Sequence, residues 1–259
     1  TCRQFVDGRY TEGGRSNYIN HPRYAKAPEH YVRAFRLLEK DVLDLFDYVE
    51  PADKNVGTYS YRIHALLLRA AIEVEANCKA VLRENGYAKQ QLTTKDYRKL
   101  EHTHLLSAHE VRIPHWNGTL GTRRPFAAWS HQDGTLPWYD AYNAVKHDRQ
   151  AEFEQATFDH LIDAWCGLLV VLTAQFCTHD FSPGPTLLAV EEGPGDGMEH
   201  AIGDYLHVRL PAQCPAELRY DFDWHVLAQE RAPFVPIDYT KIPCAPRSSI
   251  DANAARLPE

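Results

Sequence analysis

From Leu161 to Cys177 the chain reads LIDAWCGLLVVLTAQFC, its most apolar stretch, and this segment constrains the fold more than any other. A helix over these residues is apolar on nearly every side, so neighbours must bury it all round. It does not read as a membrane span, because Asp163, Thr173 and Gln175 interrupt it and it falls short of the roughly 20 residues a bilayer needs. The spacing predicts a core helix from about Glu152 to Thr178, with other helices assembled around it.

Those other helices are legible as periodic patterns. From His30, the residues Tyr31, Phe35, Leu38, Val42 and Phe46 recur at three- and four-residue steps and stop before Pro51, which predicts a first helix. A second, from about Thr58 to Asn85, puts Ile63, Leu67, Ala70, Val74, Cys78 and Val81 on one stripe, with Gly86 as its stop. Its other side carries a polar stripe, Arg62, Arg69, Glu73 and Asn77, whereas Glu75 is turned away from Glu73 by about 200°. Between Tyr87 and Pro137 the pattern breaks up. A short helix near Asp96–Ser107 and a loop carrying His115, Trp116, Arg123, Arg124 and Trp129 are expected there, and an insertion of that length is often functional. A helix from about Leu136, with Pro137 in its first turn, then leads into the core helix.

The fold class is therefore mainly α, a helical bundle over residues 30–180. Residues 1–29 are polar and without period, an irregular arm. After Phe181 prolines exclude long helices, while Tyr205–Leu210 and Trp224–Ala228 read as strands, so 181–259 form a small irregular/β appendage packed on the bundle. The GPGDG run at 193–197 lacks the lysine and hydroxyl residue of a phosphate loop and reads as a turn.

Composition limits function. With 44% hydrophobic residues the chain can fill a real core, and a net charge of −7 removes any surface-wide attraction to nucleic acid, so a nucleic-acid role needs a local basic pocket. The six cysteines contain no CxxC pair, which removes the usual zinc spacing and points to a reducing, cytoplasmic setting. His102, His104, His109 and His115 lack the HExxH pattern, so no metal and no cofactor are expected. No basic segment followed by an apolar one opens the sequence, so no secretory leader is expected in it, and no membrane partner either.

The chemistry-bearing segment is WYDAYNAVKHDR, Trp138 to Arg149. Helical spacing sets Asn143, Lys146 and His147 on one face, with Arg149 at a different angle near the end, a cluster of cations, amide and imidazole suited to a phosphate. An imidazole can take or give a proton near neutral pH while fixed cations stabilise a pentavalent phosphate, with no metal required. Arg69 and Glu73, four apart, read as a surface pair. If their stripe faces the motif helix, Glu73 could instead hold Lys146 or orient His147. Trp129, Trp138 and Tyr139 read as core or hinge packing rather than as a base-stacking platform.

The order of helices, the RAAIEVEANCKAVL segment of the second helix and the YNAVKH segment of the later one resemble the HEPN superfamily of helical domains over residues 30–180. The resemblance implies a HEPN-like bundle, RNA or nucleotide-phosphate binding, a metal-independent endoribonuclease activity, a homodimer that brings two motif helices together, and a place in a defence system. It assigns His147 and Asn143 to catalysis and Lys146 and Arg149 to the phosphate, with Arg69, Glu73 and Tyr142 in support. Tyr142 stands where the family motif has its arginine, and a phenol supplies no positive charge there. The alternative from another class is a non-catalytic helical interaction and assembly protein, in which His147 caps a helix end and Lys146 and Arg149 form a solvated face.

Overall fold

The computed structural model describes residue 19 and residues 23–179, 181, 197–203, 205–211, 229, 231, 234 and 236–244. Among these the fold is mainly α, with a small four-stranded antiparallel sheet. Helix α1 spans Pro28–Phe46 and starts two residues before the expected His30, because Pro28 supplies the fixed φ of a first turn. Its buried stripe is Val32, Phe35, Leu38, Val42 and Leu45. Helix α2, Tyr61–Glu84, begins where the Ser60 hydroxyl accepts the Ile63 N–H at 3.2 Å, and the chain leaves it through Gly86 at φ 80°.

The expected helix at Asp96–Ser107 is instead a series of short turns: α3 at Thr94–Tyr97, α4 at Glu101–His104, and tight turns around them. Leu105, at φ 46°, breaks the series. The following loop also holds two strands that periodicity did not reveal, β1 at Glu110–Arg112 and β2 at Thr122–Arg123. Each is too short to establish an alternating pattern. Strands β3, Glu199–His200, and β4, His207–Arg209, complete the sheet in the order β2-β1-β4-β3. β4 lies inside the expected Tyr205–Leu210 strand, whereas Trp224–Ala228 falls outside the described residues.

Helix α5 covers Pro137–His147. The core helix was expected to begin at Glu152, but two caps divide the chain there. The Asp148 carboxylate accepts the N–H groups of Gln150 and Ala151 and starts a separate turn, α6, Arg149–Glu152. Thr157 then caps α7, Phe158–Phe176, by accepting the His160 N–H at 3.3 Å. As its composition dictates, α7 is buried along nearly its whole length and packs against α1, α2 and α5. Gly167 makes the closest approach: a β-carbon there would stand 3.3 Å from the Trp138 ring, so α5 can lie directly on α7.

The long insertion is tied down rather than free. The Asp53 carboxylate accepts the Trp116 indole N–H at 2.7 Å and the Thr119 and Leu120 N–H groups at 2.8 and 3.0 Å, which holds its carboxyl well below the usual range, Thr119 foremost. Arg123 is buried under the Trp116 ring and pairs with Asp159 at 2.6 Å and Asp163 at 3.3 Å. The described parts of 181–259 rest on the bundle: Tyr205 stacks on Trp165, Tyr239 is buried, and the Lys99 ammonium donates to the carbonyls of Tyr239 and Ile242 at 2.8 and 2.7 Å. No helix among the described residues is long and apolar enough to cross a membrane.

Candidate functional site

Helix α5 presents two polar faces. Its Trp138, Tyr142 and Val145 side chains are buried in the core, and beside them Tyr139, Tyr142 and Lys146 run as a stripe toward α2. There the half-buried Glu75 carboxylate accepts the Tyr139 hydroxyl at 2.8 Å and the Lys79 ammonium at 2.7 Å. Burial works to raise the Glu75 carboxyl, but hydrogen bonds from Lys79 and Tyr139 and the charges of Lys79 and Lys146 outweigh it and hold the group low. Burial, then the bond to Glu75, drives the Tyr139 phenol far up, so it stays protonated and donates to Glu75. The Lys146 ammonium donates to the Tyr142 hydroxyl at 2.8 Å and lies 4.8 Å from that ring's centre. The Tyr142 bond leads in raising its pKa, with Glu75 adding to it against partial burial. A positive charge thus sits at the tip of Tyr142.

The other face opens to solvent. Asn143 is partly exposed, and His147 and Arg149 are exposed. None of the three makes a hydrogen bond or ion pair among the described residues. His147 is the last residue of α5, and Asp148 turns the chain so that Arg149 opens α6 at a new angle. The Arg149 charge reaches His64 on α2, whose ring is buried, donates toward the Val145 carbonyl and has its pKa lowered, chiefly by burial. The His64 Nε2 has no hydrogen-bond partner among the described residues.

The supporting residues fall differently from the sequence expectation. Arg69 pairs with Asp41 of α1, as does Arg62 at 2.8 Å, so Arg69 and Glu73 do not form the expected pair. Glu73 lies on the α1 side, raised by burial against the opposing charge of Arg69, and reaches neither Lys146 nor His147. Asn77 is buried and bonds the Glu73 carbonyl. Glu75, not Glu73, is the carboxylate on the α5 side, where it bonds Tyr139 and Lys79 and feels the charge of Lys146. The available signal was the Glu75–Lys79 spacing of four; the polar stripe misled because α2 lies between α1 and α5 and has a polar edge toward each. Trp129, Trp138 and Tyr139 are core side chains, as their reading as packing groups predicted. Among the four histidines of the insertion, His109 is buried beside the Leu105 carbonyl and pushed down to about 4 by burial, so it stays neutral.

A cavity of about 530 Å³ opens at the amino end of α5, floored by Trp129, Leu136 and Tyr139 and rimmed by Lys95, Arg98 and Asp140. It does not include Asn143, Lys146 or His147, which occupy the other end of the helix. Comparison of the chain with protein-family models, with curated proteins and with solved structures finds no match.

Proposed function

We propose that the carboxyl end of α5 and the turn after it bind the phosphate of RNA or of a nucleotide, within a HEPN-like helical domain. One observation carries this reading. Asp53, Asp96 and Lys99 are consumed by internal hydrogen bonds, and Arg123 is paired with Asp159 and Asp163, whereas the side chains of Asn143, His147 and Arg149 are left without hydrogen-bond or ion-pair partners among the described residues. A histidine that merely capped the helix would bond its last carbonyls. Lys146, anchored on Tyr142, supplies the positive charge that the motif lacks in sequence. For cleavage, the His147 imidazole would take the 2′-hydroxyl proton as that oxygen attacks the adjacent phosphorus and the P–O5′ bond breaks; water protonates the departing 5′-oxygen, giving a 2′,3′-cyclic phosphate and a 5′-hydroxyl end. Pairing of two motif faces in a homodimer would double the charge along one groove.

The test is RNA binding across a salt series. Lys146→Ala and Arg149→Ala should each weaken binding and flatten its salt dependence, since every phosphate contact releases counterions. His147→Ala should abolish any metal-independent cleavage and leave binding largely intact. A wild-type protein that binds no RNA in a salt-dependent manner and cleaves none sinks this reading.

A second reading, a non-catalytic interaction protein, draws on α1 and α2. Leu37 and Ile72 are half-exposed and flank the Arg69–Asp41 pair, one turn from Asp41 and from Arg69 respectively. Leu37→Glu together with Ile72→Glu would disrupt assembly through this face without touching the motif.

A further inference from the structure

Beside Arg149, Tyr59, Tyr61 and Phe153 form an aromatic shelf distinct from the buried tryptophan group. Tyr61 is 71% exposed and Tyr59 45%. The Tyr61 and Phe153 rings lie 4.7 Å apart at 42°, and Tyr59 meets Phe153 edge-on at 5.8 Å. The shelf is held rigidly: Tyr59 pairs with Thr157 in a short antiparallel bridge, its hydroxyl donates to Glu154 at 3.1 Å, and the Phe158 N–H donates to the Thr58 carbonyl at 2.7 Å. Exposed aromatics held by a backbone framework keep their faces available at little entropic cost.

Two further features adjoin it. Arg149 lies one turn before Phe153 and is unpartnered among the described residues. The His64 ring stands 5.6 Å from Phe153 and feels the Arg149 charge, and its Nε2 is without a partner among the described residues although the residue is only 8% exposed. The nearby carboxylates are engaged: Asp148 in capping α6, Glu152 with Gln155, and Glu154 with Tyr59. Those bonds come from neutral donors, so the three carboxylates keep their charges, and Arg149 supplies positive charge beside the rings.

We infer that Tyr61 and Phe153, with Tyr59, form a stacking shelf for an unpaired base of single-stranded RNA, and that Arg149 holds the adjoining phosphate. Stacking on aromatic faces beside cations is how single strands are held without regard to sequence. A duplex keeps its bases stacked internally and could use only Arg149. This inference rests on the phosphate-binding reading above and narrows it to single strands.

The experiment measures the anisotropy of a fluorescein-labelled 12-nucleotide oligouridylate, and of an RNA duplex, with the intact chain. Tyr61→Ala should weaken single-strand binding about 5- to 100-fold with the salt slope unchanged, and Tyr61→Phe should restore it. Arg149→Ala should lower the salt slope by about 0.7 instead. In a 2-aminopurine oligonucleotide, the wild type should quench the base by stacking and Tyr61→Ala should not. Single-strand affinity within twofold of wild type for both Tyr61→Ala and Phe153→Ala overturns the shelf while leaving phosphate binding in place. Equal affinity for duplex and single strand does the same. Absence of any RNA binding removes the shelf and the phosphate reading together.

Discussion

The Glu75–Tyr139 hydrogen bond couples α2 to α5, and its strength can be measured. The Glu75 side chain is 13% exposed and Tyr139 7%, so the bond is screened from water on both sides. A hydrogen bond to a charged acceptor in such a setting contributes about 1.5–3 kcal/mol. The Glu75–Lys79 pair adds only about 0.3–0.5 kcal/mol, because Lys79 is half-exposed. The two contributions place the total loss in Glu75→Ala at about 2–3.5 kcal/mol. Urea unfolding at pH 7 of Glu75→Ala, Tyr139→Phe and the double mutant should give a coupling energy of about 1–1.5 kcal/mol at constant m. The pH dependence has a defined sign. The Glu75 carboxyl is held below its unfolded value, so its stabilisation is present above about pH 4.3 and is lost as pH falls through the folded value. The gap between wild type and Glu75→Ala should therefore narrow on acidification. A coupling below about 0.3 kcal/mol, or a gap that widens toward low pH, would refute the argument.

Asp163 has the opposite sign. Burial foremost, aided by Asp159 and opposed by Arg123, pushes its carboxyl up to about 6, so the stability it contributes is greatest below the unfolded value and declines as pH rises through 6; Asp163→Asn should remove that slope from a pH series of melting temperatures. Trp165 is fully buried between Phe46 and Tyr205 with its indole N–H unpartnered among the described residues, so Trp165→Ala should cost about 3–5 kcal/mol by calorimetry, and Trp165→Phe much less because it removes an unsatisfied donor along with volume. Residues 181–259 expressed alone should show no cooperative thermal transition, since Tyr239 is buried and Lys99 anchors its neighbours in the intact chain, and a sharp calorimetric peak from the fragment would contradict this. Sedimentation velocity at micromolar concentration should find a dimer, and a wild-type monomer would exclude the paired groove.

Helix-forming segments with a long, uninterrupted period were determined by the sequence itself. The apolar run at 161–177 could be buried only by surrounding helices, and the stripes of α1 and α2 supplied two of them, because a 3.6-residue period is a local property of the chain. The YNAVKH spacing placed Asn143, Lys146 and His147 within one helical sector, but packing divided it: Lys146 turned to Tyr142 on the α2 side, while Asn143 and His147 face solvent. Where local signals were a few residues long, they gave way: β1 and β2 emerge only as partners of each other and of β4, and the break at Asp148–Thr157 comes from two side-chain caps that periodicity does not weigh. Only the tertiary structure could decide which helix each polar edge of α2 would meet. A helical period fixes the angle between Glu73 and Glu75 but not the direction of the neighbours, so Glu73 turned to α1 and Glu75 to α5. For the same reason the anchoring of Lys146 on Tyr142, and the meeting of Tyr61, Phe153, His64 and Arg149 from segments far apart in the chain, are products of packing alone.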